Sequence, residues 1–157
     1  MSGLRSVEDQ LADVLAAARP LPGEQVPLAD AHGRTLAEAV RAAVDIPVFD
    51  NSAMDGFAVR FADVRDAAPD APATLRVVAD LPAGTDADPA LALGEAARIM
   101  TGSPVPSGAD ANVPFGGTAG GLADSLGEIS VLRAPRAVGA HIRRAGEDAR
   151  AGDEVLP

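Results

Sequence analysis

The chain has 157 residues, of which 47% are hydrophobic and 23% charged, a balance that supports a packed core and excludes wholesale disorder. Thirteen basic against twenty-three acidic side chains leave a formal charge of -10, so most of the surface repels a polyanion and nucleic acid is not an expected partner. Cysteine, tryptophan and tyrosine are absent, which excludes a disulfide scaffold, a thiolate metal site, a cysteine nucleophile and an aromatic platform for single strands.

Ser6 and Asp9 form a capping-box-like pair, and Val7, Leu11, Val14, Leu15 and Ala18 then recur at helical spacing. An amphipathic helix is predicted over residues 6–19, ended by Pro20, Pro22 and Gly23. No apolar run approaches the ~20 residues needed to cross a bilayer, and MSGLRSVEDQ lacks the apolar centre of a signal peptide. A cytoplasmic protein with no membrane partner is expected. Gln25–Leu28 reads as a short strand, and Asp30–Gly33 as a helical turn closed by glycine. Residues 36–44 fit helix or strand. Pro47 pushes Ile46 toward extended backbone, so residues 45–49 read as a crossing between two units.

Beyond residue 57 the pattern changes. Apolar runs at Phe57–Phe61, Thr74–Ala79, Ala97–Met100, Ala111–Phe115 and Ile129–Leu132 alternate with turn clusters rich in Pro, Gly and Asp. Short strands so spaced predict a small barrel or sandwich. Residues 116–121, GGTAGG, read as a flexible loop by composition. The chain stops at Val155-Leu156-Pro157 in mid-pattern, which suggests a truncated or shortened form.

Candidate chemistry is sparse. No lysine is present, so neither a Schiff-base nor a P-loop lysine is available. Asp50 and Asp55, around Asn51, Ser52 and Met54, suit magnesium coordination or water positioning near a phosphate ester. They equally suit a tight turn, with Gly56 permitting the bend. Thr101 and Gly102 follow the run Ile99-Met100, where a hydroxyl and neighbouring N–H groups could meet an anion or simply form a turn. Ser52 is a weaker ligand candidate, since nothing pairs it with a base. His32 and His141 lack ligand-like neighbours, no metal site is read from the residues, and Arg143, Arg144, Glu147 and Asp148 read as a solvated charged turn.

Residues 46–60, IPVFDNSAMDGFAVR, closely resemble a signature of the molybdopterin molybdenumtransferase family, which includes bacterial MoeA and the gephyrin E domain. Three further segments resemble family motifs in the same order: HGRTLAE from His32, RIMTGSPVPSGAD from Arg98, and IRRAGEDARAGDEVLP from Ile142. The resemblance implies an α+β, mostly β fold: an elongated N-terminal domain over residues 1–46 and 138–157, used for linking and dimerisation, with a small β-barrel-like domain inserted over residues 47–137. It implies that the family's pterin-binding α/β domain is absent from this chain. Members insert molybdate into adenylylated molybdopterin and release AMP with a divalent cation such as Mg2+, at a site between the subunits of a homodimer. Adenylylated molybdopterin and molybdate would be met through the missing domain, and no cofactor is expected to bind tightly to this part alone.

Carried over residue by residue, the resemblance places Asp55 on the acid of the MDG motif and Thr101 on the threonine of MTG, both at the active site. Gly102 and Ser52 stand beside them. One departure concerns residues 112–118, NVPFGGT: Asn112 replaces an apolar residue, and Gly116 and Gly117 stand where the family carries acids. Two readings follow. The chain is the N-terminal part of a molybdenum-inserting enzyme, inactive alone, or a non-catalytic paralogue acting as a dimerisation or docking module.

Overall fold

A computed structural model describes residues 5–19, 21–123 and 126–157. Contacts divide the chain into two compact units, Met1–Ala39 with Pro157, and Val40–Leu156. Among the described residues no helix is long and apolar enough to cross a membrane.

The first unit holds helix α1, Val7–Ala17, capped by the Ser6 side chain, which accepts a hydrogen bond from the Asp9 amide. The cap satisfies one of the four amides that a helix start leaves free. The helix ends at Ala18, and Pro20, expected to help end it, lies outside the described residues. The stripe of Val7, Leu11, Val14 and Leu15 is exposed. No strand forms over Gln25–Leu28; Leu28–Asp30 is instead a 3-10 turn. Its carbonyl groups are met locally: Leu28 O accepts from the Ala31 amide and Asp30 O from Arg34 Nε. A lone four-residue strand without a neighbour cannot pair its backbone, and local bonds win. The expected turn through Asp30–Gly33 is present, with Gly33 at φ +79.

The second unit is built from strands. In chain order they are β1 Val40–Arg41, β2 Asn51–Ser52, β3 Gly56–Val59, β4 Ala73–Leu81, β5 Glu95–Ile99, β6 Ala111–Pro114, β7 Gly127–Val131, β8 Ile142–Arg143 and β9 Glu154–Leu156. A four-residue helix, α2 Phe61–Val64, follows β3. Each of the five predicted apolar runs contributes one strand of a single sheet ordered β6-β3-β5-β4-β7. All its pairings are antiparallel except β4 with β5. An isolated bridge between Thr118 and Val131 joins the segment after β6 to the opposite edge strand β7, curling the sheet toward closure.

β3 is buried along its whole length. Phe57 and Val59 join one apolar cluster, with Leu75, Val113 and Ile129, while Ala58 joins another, with Leu81, Leu91 and Ile99. A central strand covered on both faces reads as a continuous apolar run rather than an alternating one, which is how FAV reads here. Phe57 meets Phe115 edge to face, with ring centroids 5.3 Å apart.

The stretch from Ile142 to Leu156 returns along the start of this unit: β8 pairs with β2 and β9 with β1. The crossing at residues 45–49 is extended only at Ile46, which bridges to Ala149. Residues 116–121 are not the loose loop their composition suggests. Phe115–Gly117 is a 3-10 turn, Gly117 O accepts from the Leu132 and Arg133 amides, and the Ala119 amide donates to Ser130 O. Backbone bonds to β7 and its continuation hold the glycines, a long-range constraint that composition does not register.

Candidate functional site

The central sheet brings the ends of three strands together. β3 begins at Gly56, which is paired on one side with Ile99, the last residue of β5, and on the other with Pro114, the last of β6. Asp55, Thr101 and Phe115, each just beyond one of these strands, therefore lie at one end of the sheet. Gly56 is required there by space: a Cβ would stand 2.1 Å from Val113 O.

Asp55 and Thr101 are bonded directly. Asp55 Oδ1 accepts from the Thr101 amide at 2.7 Å and from Thr101 Oγ1 at 2.6 Å. The hydroxyl, then the amide, hold the Asp55 carboxyl below its ordinary range, outweighing the opposing effect of desolvation, and the positive charge of Arg98 adds a smaller pull in the same direction. Asp55 Oδ2 has no protein partner among the described residues, and both residues are exposed. The arrangement is a fixed, charged carboxylate with one oxygen open to a ligand, a cation or water. Gly102, at φ +85, turns the chain immediately after Thr101, and its amide donates to Ser52 O.

Ser52 is fully buried. Its hydroxyl donates to Met54 O and lies within hydrogen-bond reach of the Met54 amide and Asn112 Nδ2. These bonds all lie within the loop that presents Asp55. Asp50 is likewise tied down: Oδ1 accepts from the Ala145 amide at 2.8 Å and Oδ2 from Arg144 Nη1 at 2.5 Å. The amide bond first, then the guanidinium, lower the Asp50 carboxyl from its usual range. Asp50 thus clips the β2 approach to the returning segment. His32 is exposed in the first unit, and His141 sits at φ +60 with its carbonyl accepting from the Ala53 amide.

Two side chains that shape the site were not legible as site residues. Arg98, on β5 opposite Phe57, reaches over the Phe115 ring at 5.6 Å and pairs with Asp80 at 3.5 Å. Asn112, wholly buried in the middle of β6, donates from Nδ2 to Met54 O at 2.8 Å as well as to Ser52. A polar residue in an otherwise apolar strand was the available signal for Asn112: such a residue needs a partner, and the partner here is the loop before Asp55.

Magnesium, implied by the resemblance, can be weighed against these donors. No group of three or more His, Cys, Asp or Glu side chains that could hold a metal exists among the described residues. The free Oδ2 of the ionised Asp55 fits the other common arrangement, one carboxylate ligand to a magnesium ion otherwise held by waters and substrate phosphates.

Residues 5–157 match the MoeA N-terminal region (domain I and II). The chain is 46% identical over 156 residues to molybdopterin molybdenumtransferase 2 of Mycobacterium tuberculosis, covering 98% of this chain and 36% of the relative. It is 41% identical to the molybdopterin molybdenumtransferase of Synechococcus elongatus, over 96% of this chain and 36% of the relative. The crystal structure of the molybdopterin biosynthesis MoeA protein of Pyrococcus horikoshii superimposes with a TM-score of 0.76 at 38% identity, over 85% of this chain and 34% of that one. The chain therefore spans about a third of the length of the relatives it matches.

Proposed function

This chain belongs to the family of MoeA N-terminal regions, and on that premise we propose that it is the first part of a molybdenum cofactor biosynthesis enzyme that inserts molybdate into adenylylated molybdopterin and releases AMP. The observation that carries the reading is the Asp55–Thr101 pair: the two most specific motifs of the sequence, far apart in the chain, meet through a hydroxyl and an amide on one carboxylate oxygen.

In this reading Asp55 presents a permanent negative charge at the rim of the site, and Thr101 holds its direction. The bonds through Ser52 and Asn112 keep the preceding loop from relaxing. Asp55 Oδ2 is the atom of this chain that would ligate magnesium, an ion that supplies charge neutralisation to a phosphoanhydride when bound. The chain spans about a third of the length of its relatives, and in this reading adenylylated molybdopterin and molybdate are held mainly by the remainder of the enzyme. The active assembly in this reading is a homodimer, with the exposed stripe of α1 as a candidate part of its interface. Light scattering of the chain at several salt concentrations checks the second point, since screening relieves repulsion between copies of charge -10.

The test is a chimera in which this chain replaces the corresponding third of the Mycobacterium tuberculosis relative. AMP release from adenylylated molybdopterin, molybdate and magnesium is expected from the chimera and not from the chain by itself. A folded, dimeric chimera that releases no AMP would overturn the reading in favour of a non-catalytic docking module, the alternative that Gly116 and Gly117 raise by standing where the family carries acids.

A further inference from the structure

Strand register sets one arginine between two acids at the end of the sheet that carries Asp55. Arg98 on β5 stands opposite Phe57 on β3 and opposite Asp80 on β4. Asp55 precedes Phe57 by two residues, so strand alternation sets it diagonally from Arg98, a relation in which antiparallel neighbours stand about 7–8 Å apart. Arg98 is thereby flanked by a carboxylate on either side.

The guanidinium is placed by contacts that spend few of its donors. Its Cζ lies over the Phe115 ring, 5.6 Å from the centroid, which orients the plane of the group. Nη1 stands 3.5 Å from Asp80 Oδ2, with the Arg98 side chain 27% exposed and that of Asp80 41%. Nε is buried without a hydrogen-bond partner among the described residues. The Phe115 amide in turn donates to Asp55 O at 3.2 Å, so the residue that carries the guanidinium is tied to the residue whose charge it meets. That charge is felt at the Asp55 carboxyl, behind the Thr101 hydroxyl and amide bonds and the opposing desolvation.

A cation approaching Asp55 Oδ2 therefore meets the attraction of a carboxylate and the repulsion of a guanidinium. We propose that Arg98 sets the affinity of Asp55 for a divalent cation, keeping Oδ2 a weak ligand for the free ion. Without Arg98, the carboxylates of Asp55 and Asp80 would share this end of the sheet with no counter-charge between them, which favours a cation. With Arg98 in place, Asp55 takes up an ion when further oxygen ligands come with it, the usual manner of magnesium held through one carboxylate. The inference rests on the reading of Asp55 Oδ2 as the magnesium ligand and extends it to the residue that tunes that ligand.

Mn2+ is the probe, because it broadens the resonances of nearby amides even when weakly bound. The amides of Gly56, Thr101 and Gly102 in the chain are compared during titration with those beside Glu8, an exposed acid on α1. In the unaltered chain the two sets should broaden alike. Arg98→Met, which keeps the length and removes the charge, should raise the affinity at the site at least about threefold. Arg98→Lys, which keeps the charge, should stay near the unaltered chain. Asp80→Asn, which leaves Arg98 to act on Asp55 alone, should weaken binding, and lost packing cannot produce this pair of opposite signs. Adding Asp55→Asn to Arg98→Met should abolish the gain. The full amide spectrum establishes each fold, and the Lys and Asn variants decide the matter if Arg98→Met unfolds. No gain in Arg98→Met, an equal gain in Arg98→Lys, or no weakening in Asp80→Asn would overturn the inference and leave the reading of Asp55 standing. A gain that survives Asp55→Asn would put the ion on Asp80 and overturn both. Because the readout is cation binding to this chain, its failure is separate from a failure of AMP release by the chimera.

Discussion

The hydroxyl of Thr101 lies 2.6 Å from the carboxylate of Asp55, although 46 residues separate them in the chain. β3 and β5 pair in register from Gly56 with Ile99 to Val59 with Ala96. The residues just outside that ladder are thereby brought together at its end. A one-residue slip would turn Asp55 away and place apolar side chains in its position. The pairing that buries Phe57 and Val59 therefore also aims the carboxylate.

Removing the charge of Asp55 tests whether that aim serves chemistry. In the chimera, Asp55→Asn is expected to slow AMP release by about 2–4 kcal/mol of transition-state stabilisation, by analogy with other preorganised electrostatic groups. Thr101→Val keeps the amide bond and removes only the hydroxyl, so a smaller loss of about 1.5 kcal/mol is expected. Single-turnover kinetics, with circular dichroism to establish folding, read both. Unchanged rates in both variants would reduce the pair to a turn fastener.

Asp50 makes the stability of the chain sensitive to acid. Its carboxyl is lowered by the Ala145 amide and the Arg144 side chain. A depressed folded value stabilises at every pH above the unfolded value of about 3.9 and is lost as pH falls through the lower folded one. Asp55, also lowered, acts with the same sign. Urea midpoints measured from pH 7 to pH 3 should fall below about pH 4. Asp50→Asn should be less stable than the parent at pH 7 and show a shallower fall in acid. Parallel curves for the two proteins would remove Asp50 from this role.

The junction of β3 and β6 tolerates no side chain at its first position. Gly56→Ala would set a methyl group 2.1 Å from Val113 O, and strand separation to relieve it should cost more than about 2 kcal/mol. Phe57→Ala, which empties a wholly buried site beside Phe115, should cost about 3–5 kcal/mol. Leu28→Ala, at a residue that is 91% exposed, is the control and should stay within about 0.5 kcal/mol. Chemical denaturation orders the three, and a Gly56→Ala protein as stable as the control would contradict the close approach.

Asn112 holds the Asp55 loop from below. Asn112→Val removes the donors to Met54 O and Ser52, which costs about 1–3 kcal/mol, and also removes Oδ1, a buried acceptor that has no partner. These effects oppose, so global stability should drop by only about 1 kcal/mol. The local effect is the larger expectation: amide exchange at Ala53–Gly56 should quicken well beyond the change in global unfolding. Exchange there that follows global unfolding alone would show the loop to be held without Asn112.

Much of the fold was legible in residue order because its signals are local. The Ser6 cap and the spacing of Val7, Leu11, Val14 and Leu15 specify α1, and each apolar run between turn clusters became a strand of the sheet. Motif order likewise marked Asp55 and Thr101 before their geometry was known. Tertiary structure decided what depends on partners distant in the chain. Gln25–Leu28 forms no strand, having no neighbour to pair with. The glycines after Phe115 are held because Leu132, Arg133 and Ser130 supply their bonds. The parallel pairing of β4 with β5 follows from a crossover, not from any feature of either run. Asn112 and Arg98 joined the site only when strand register set them beside Met54 and Phe115. Backbone propensity and burial act over a few residues and can be read in order, whereas a hydrogen bond or an ion pair exists only once the sheet has chosen which strands are neighbours.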